Sequence, residues 1–465
     1  MSHLTALNNY FTEKREAHLE ELKQFLRIPS ISSLSEHKAD MQKGAEWLAD
    51  SCTKAGLENV IIDKTNGHPV VYADWLHAEG KPTILVYGHY DVQPVDPLNL
   101  WESEPFEPEV RDNKLFARGA SDDKGQVFMH VKAVEALLQT EGALPVNVKF
   151  LIEGEEEVGS PNLEAYIVEN KAKLAADVIV ISDTGMQGPG QPAVCYGLRG
   201  LCGVQIDVKG AKGDLHSGLY GGGVQNSIHA LVSVLDSFRD AEGTIQVEGF
   251  YENVRPLLDE EREAYNALGF DEEELKKEVG VEELFGEKGF SHLERVWARP
   301  TLEVNGVFGG FSGEGIKTVL PSEAGAKITC RLVPDQDPDE IVAKLKAHIE
   351  KNKPTGVTVT VTEFDKGKPF ITPFDHPAIQ AAGRSYEKVY HVPTAYTRGG
   401  GSIPIVAAFD EILGLPVVLM GFGLSSENFH APNEHFHLEN FDQGLRVIGD
   451  YYYELADLTK EQLKK

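Results

Sequence analysis

The chain is poor in several things at once. Its 465 residues hold only four cysteines, Cys52, Cys195, Cys202 and Cys330, and no CxxC pair. That excludes a disulfide framework and a thiol redox centre, and leaves buried thiols of a cytoplasmic protein as the expectation. Basic residues are scarce too: 44 Lys+Arg face 73 Asp+Glu, a formal charge of −29. A surface this negative repels phosphate backbones and anionic headgroups, so no nucleic acid and no membrane surface is expected as a partner. No apolar run reaches membrane-spanning length, and the N-terminal stretch has no apolar core of a signal peptide. The nucleophile elbow G-x-S-x-G is absent. Two look-alikes of nucleotide loops fail: Ile316 separates Gly315 from Lys317, and Gly188–Ala193 carries two prolines with no helix after it.

What is present is a globular composition, 41% hydrophobic and 25% charged, in a chain long enough for roughly two to four domains. Leu7, Phe11, Leu19, Leu22, Phe25 and Leu26 fall at helical spacing, and Pro29 stops that helix. Further helices are expected at Met41–Ala55 and Lys124–Thr140. Four short apolar runs, Thr83–Tyr87, Val146–Ile152, Val178–Ile181 and Val417–Met420, scarcely alternate and read as buried strands. Strands interleaved with helices predict an α/β fold, with a mainly parallel sheet flanked by helices. Between about Gly200 and Phe374 the pattern changes to alternating strands (Cys202–Val208, Ala326–Val333, Val357–Glu363) with helices at Ser227–Phe238 and Pro338–Glu350. This predicts an inserted α+β domain at 200–374, splitting a first domain into 1–199 and 375–465. Glu260–Leu284 reads as a solvated, charge-dense helix pair.

Each buried strand is followed by chemistry. The first runs into Gly88-His89-Tyr90-Asp91, the second into Glu153-Gly154-Glu155-Glu156-Glu157, the third into Ser182-Asp183, and the fourth leads to Glu427 and the segment HAPNEHFH. Asp122 precedes a helix, where an acid is ordinarily a cap. In an open α/β sheet, side chains beyond the carboxyl ends of the strands converge on one crevice. Several carboxylates there repel unless a cation sits among them, and imidazole with carboxylate is the donor set of a zinc-like ion. His89, Asp122, Glu157, Asp183 and a histidine of HAPNEHFH (His430, with His435 and His437 open as alternatives) make five ligands. Five suffice for two ions only if one carboxylate is shared, as in hydrolytic pairs about 3.5–4 Å apart. Asp91 lies within reach of the His89 ring as a supporting carboxylate. Glu156, beside the ligand Glu157, is free to move a proton. Taken singly, a His-x-Asp is an ordinary hydrogen-bonded pair and a Glu run an ordinary solvated face; their joint placement after successive strands favours the site.

These residues sit in motifs that resemble a known family. FLRIPSIS, YGHYDVQP, ARGASDDKGQ, EGEEEVGS, ISD, YGLRG, DLHSGLYGG and TRGGGSIP occur in the order seen in the two-metal metallopeptidases. That family includes carnosine-type and cysteinylglycine dipeptidases, carboxypeptidase G, aminoacylase and succinyl-diaminopimelate desuccinylase. DLHSGLYGG and the long spacing are most similar to the nonspecific dipeptidase branch. The resemblance implies a cytoplasmic, homodimeric dipeptidase with two divalent ions, zinc first, with manganese or cobalt suited to the same ligands. By it, His89 and Asp183 hold one ion, Glu157 and His430 the other, and Asp122 bridges; the choice of His430 over His435 and His437 is the resemblance's. Asp91 would orient His89 and Glu156 serve as general base and acid. The inserted domain would act as a lid and dimerise, sending His216 to a partner's oxyanion, a histidine that from the residues alone reads as part of a turn. Thr318, Arg331 and Ser402 match substrate-holding positions, Arg331 suiting a C-terminal carboxylate. Gly399 stands where close dipeptidases often carry an acid, which opens the alternative of an N-acyl-amino-acid amidohydrolase. A third reading, a silent metal-binding scaffold, is disfavoured by the presence of Glu156.

Overall fold

A computed structural model of the chain describes residues 3–401 and 403–464, without the side chains at 365 and 404. The chain divides into two compact units: Met1–Tyr196 with Thr372–Thr397 and Ala408–Lys465, and Gly197–Ile371 with Arg398–Ala407.

In the first unit the apolar runs form the middle of a mixed sheet. Seven of its nine strands lie in the order Glu58–Asp63, Val70–Trp75, Asn147–Glu153, Thr83–His89, Val178–Ile181, Val417–Leu419 and Ala193–Leu198. The four expected strands are mutually parallel, and antiparallel neighbours flank them on both sides. Their burial is nearly complete, which is why they read as unbroken apolar runs. The fold class is therefore α/β, with the parallel ladder confined to the centre.

Helix Lys124–Glu141 packs on strand Thr83–His89 and against helices His3–Leu26 and Leu438–Ala456. It is apolar on almost every side (Val127, Phe128, Met129, Val131, Val134 and Leu137 are all buried) because neighbours surround it. Gly142 ends it at φ 75°, donating its N–H to Leu138 O in the left-handed cap that glycine adopts freely. At the other end, a Cβ on Gly125 would lie 2.0 Å from the Ala120 carbonyl oxygen, a backbone atom that cannot swing aside. Gly125→Ala should therefore cost about 1–3 kcal/mol, as overpacking does. An unchanged denaturation midpoint for that variant would contradict the close approach.

The second unit is an antiparallel sheet ordered Thr301–Gly309, Glu323–Leu332, Gly200–Lys209 and Thr358–Gly367. Helices Ser227–Asp236 and Pro338–Asn352 pack on it. Cys202, Val204, Ile206 and Val208 alternate into the core beneath those helices, opposite Cys330, Ile328, Ala326 and Ala324. All four cysteines are buried, and none forms a disulfide. Asp337 starts the second helix by accepting the Asp339 and Glu340 N–H groups, with Pro338 in the first turn.

Two details differ from the sequence reading. The charge-dense stretch forms two helices, Asp259–Ala267 and Glu272–Val279, and only the second lacks buried residues. The first buries Glu261, whose carboxylate pairs with the equally buried Arg398. That pair, with Arg199 donating to the carbonyls of Gly399 and Gly400, ties Arg398–Ala407 to the second unit rather than to the first. No helix among the described residues is long and apolar enough to cross a membrane.

Candidate metal centre

The parallel ladder aligns the chemistry. His89 is the last residue of its strand and pairs with Glu153, the last of the next one. Tyr87 pairs with Ile181, so Asp183, two residues on, emerges beside His89. Asp122 arrives from the loop before Lys124–Glu141. Neither its carboxylate nor that of Asp123 makes a capping bond to that helix: Asp123, at its N-cap position, instead accepts the His89 N–H at 3.2 Å.

Asp122 is the hub. Its Oδ1 lies 3.2 Å from His89 Nε2, and its Oδ2 lies 3.0 Å from His430 Nε2. Asp183 Oδ2 is 3.8 Å from His89 Nε2, and Glu157 Oε2 is 3.2 Å from His430 Nε2. Two triads result, His89/Asp122/Asp183 and Asp122/Glu157/His430, each with its ligand atoms within 4.8 Å of one another. Asp122 and Asp183 line a cavity of about 210 Å³ together with Thr184 and Phe429. Larger cavities, of about 390 and 640 Å³, lie in the second unit and contain none of these acids.

The electrostatics are those of a site short of positive charge. Burial works to raise Asp122, but the His430 and His89 rings overcome it and hold this carboxyl far below the carboxylate range. Burial works to lower His89, yet Asp122 and Asp91 lift it well above its ordinary value. Asp122 and Glu157 hold His430 at about 10 against the effect of burial. Asp183 is raised well above its usual range by burial, then by Asp122 and Asp123. Each imidazole thus stands in for a cation, and a divalent ion would displace those protons. His89 Nε2 is buried and satisfies no hydrogen bond, an orphan aimed at the carboxylates. Donor types, the orphan nitrogen and the doubly facing Asp122 all fit a pair of divalent ions.

Around the triads, Asp91 does more than the sequence suggests. Its Oδ1 is 3.3 Å and its carbonyl 3.1 Å from His89 Nδ1. Its carboxylate also accepts the backbone N–H groups of Glu156 and Glu157, at 3.2 and 3.1 Å, fixing the backbone that carries both side chains. Glu156 Oε2 lies 4.0 Å from His89 Nε2 and belongs to neither triad. Burial raises its carboxyl to about 7; His89 pulls it down, and Glu157, Asp122 and Asp91 push it up. Glu155 turns away to Asn162.

Of the three C-terminal histidines only His430 reaches the acids. His435 Nδ1 sits 3.0 Å from Asn433 O, and His437 Nδ1 sits 2.6 Å from Glu427. Two contributors escaped the sequence reading. Gln93 donates to Glu157 Oε2 at 2.8 Å, and Glu434 is buried against the Asp122 loop. Gln93 stands in the YGHYDVQP motif, four residues after His89, which was the available signal; nothing local distinguishes Glu434.

The remaining expected residues lie in the second unit. His216 is exposed, and its Nδ1 accepts the Gly218 N–H at 3.0 Å, the local geometry of a turn. Arg331 is half-buried on strand Glu323–Leu332 and Thr318 is exposed. Ser402 lies outside the described residues.

Residues 85–454 match the family described as Peptidase family M20/M25/M40. The Cys-Gly metallodipeptidase dug1 of Schizosaccharomyces pombe is 31% identical, over 98% of this chain and 99% of its own length. The Beta-Ala-His dipeptidase of Homo sapiens is 34% identical, over 97% of this chain and 92% of its own. Among solved structures, the M20 family metallo-carboxypeptidase Sso-CP2 from Sulfolobus solfataricus superposes with a TM-score of 0.79 at 35% identity, covering 95% of this chain and 99% of that one.

Proposed function

The chain belongs to the M20/M25/M40 peptidase family, and from that premise we propose that it is a metal-dependent dipeptidase that hydrolyses the peptide bond of dipeptides at a dinuclear centre. One observation carries the reading: the two oxygens of Asp122 face two different histidines, each backed by a further acid. In this reading His89 and Asp183 hold one ion, Glu157 and His430 the other, and Asp122 both. Zinc suits the donors best, and manganese or cobalt would also be accepted. When bound, the pair supplies Lewis acidity toward the scissile carbonyl and makes a nearby water more acidic.

The chain's own residues do the rest. Glu156 takes the water's proton and returns it to the leaving amine; a carboxyl kept near neutrality by burial can do both. Asp91 keeps Glu156 and the His89 ring in place. Arg331 receives the substrate's carboxylate in its guanidinium fork, with Thr318 and Ser402 beside the substrate. His216 of the partner subunit steadies the oxyanion, which makes a homodimer formed through the second unit part of the proposal. A cytoplasmic location belongs to the same reading, supported by four buried cysteines that form no disulfide.

The second reading is an N-acyl-amino-acid amidohydrolase, and Gly399 favours it. It ends strand Ala395–Gly399 with no side chain to hold a substrate ammonium, and its carbonyl is occupied by Arg199. A panel of a free dipeptide, its N-acetyl form, an N-acetyl amino acid and a tripeptide separates these. A dipeptidase should cleave the free dipeptide and leave both acetylated compounds intact. Faster release from the N-acetyl amino acid would establish the deacylase, and equal tripeptide turnover a carboxypeptidase.

A further inference from the structure

Two buried carboxylates outside the proposed ligand set grip the loop that carries Asp122. Glu434 Oε1 accepts the N–H groups of Ser121 and Asp122, both at 3.1 Å, and its Oε2 accepts Gly119 N–H at 2.9 Å and Arg118 Nη1 at 2.8 Å. Glu427 Oε2 accepts the Ser121 hydroxyl at 2.5 Å and Leu424 N–H at 3.0 Å. Its Oε1 holds His437 through the backbone N–H at 2.9 Å and ring Nδ1 at 2.6 Å. Both acids are fully buried. Each makes four hydrogen bonds, and Ser121 is held by both.

His430 lies between these acids in the chain, in no helix or strand. Asn428, His430 and Asn433 take φ values of 57°, 57° and 62°, left-handed positions that Asn and His enter more readily than most non-glycine residues. His89 and Asp183 are placed by the sheet instead, because one ends a central strand and the other follows one. The two triads are therefore built differently: one on the sheet, the other on a loop fastened by Glu427 and Glu434.

We propose that Glu427 and Glu434 are positioning residues that lock the His430 loop onto the Asp122 loop, so that the ion of the Asp122/Glu157/His430 triad depends on them far more than the ion of the His89/Asp122/Asp183 triad. This rests on the dinuclear reading above. The physical cause is the geometry of the shared carboxylate: Glu434 fixes the backbone of Asp122, and so decides whether Oδ2 meets His430. An amide in place of either acid turns an NH2 group toward buried donors, and the loops separate to satisfy them.

The test is a Co²⁺ titration of the ion-free, full-length protein, followed by absorbance and by elemental analysis after desalting. The wild type should take two ions per chain. Glu434→Gln and Glu427→Gln should keep one at near-normal affinity and bind the other on the order of 10–100-fold more weakly, the usual cost of losing a group that orients a ligand. Excess Co²⁺ should then restore kcat, and the weakening should fall on one ion alone, whereas a merely destabilised fold would weaken both together. Should the glutamine variants fail to fold, Ser121→Ala removes a single hydrogen bond to Glu427 and should shift the same affinity. Two ions at wild-type affinity in a folded variant, or equal weakening of both, would overturn the proposal. A wild type that binds no Co²⁺ would instead overturn the dinuclear reading itself.

Discussion

Glu156→Gln should lower kcat by on the order of 10²–10⁴ while the protein keeps both ions, the range expected when a general acid–base is removed. The substitution is nearly isosteric and leaves each triad intact, because Glu156 belongs to neither. Its backbone N–H would still rest on Asp91, so the neighbouring Glu157 should stay in place. What disappears is the one carboxylate near His89 that is neither in a triad nor engaged, like Asp91, in fixing the backbone around it. KM should change little, since no substrate contact is assigned to this side chain. Steady-state kinetics together with metal content decide the matter. A near-normal rate with two ions bound would move the proton to another group, and loss of an ion would make Glu156 a ligand.

The other large effect is expected at Asp122. Asp122→Asn should weaken both ions together, by more than either Asp183→Asn or Glu157→Gln weakens its own, and should bring turnover to background. The reason is that one carboxylate serves both triads. The same variant carries a pH signature in the ion-free protein. His430 is held at about 10 mainly by Asp122, then by Glu157. A group raised in the folded state contributes stability that is complete below its ordinary value of about 6.5 and vanishes as pH rises through the folded value. Ion-free wild type should therefore lose stability between about pH 6.5 and 10, and the variant should lose less over that window. Thermal melts across the range measure it, and identical slopes would show that Asp122 does not hold the ring.

Much of the site was legible because the sheet translates sequence into position. A buried parallel strand is an unbroken apolar run, and the residues just past it stand at the crevice: His89 and Asp183, each two residues beyond its run, were found this way. The two strands Glu58–Asp63 and Val70–Trp75 were missed for the complementary reason. Asp74 interrupts the second, and only the fold shows Tyr72 and Asn59 bonded to its carboxylate. Loops hide more. Three histidines within eight residues look alike in HAPNEHFH, and the left-handed turns that single out His430 leave no mark on composition. Glu434 was invisible because three of its four partners are backbone N–H groups, which every sequence has, and the fourth, Arg118, lies 316 residues away. Arg398–Ala407 was assigned to the wrong neighbour because a buried pair with Glu261, some 137 residues away, cannot be seen in either segment alone.

The order of strands in the first sheet sets a timetable for biosynthesis. Val417–Leu419 lies between Val178–Ile181 and Ala193–Leu198 in space, yet the ribosome makes it only after all of the second unit. Until then the nascent sheet is left with a gap beside its most apolar strand, a surface prone to mispairing and in need of shelter. His430 emerges later still. Both triads can therefore be complete only after His430 is made, and a nascent polypeptide stalled before that point would offer only the triad of His89, Asp122 and Asp183.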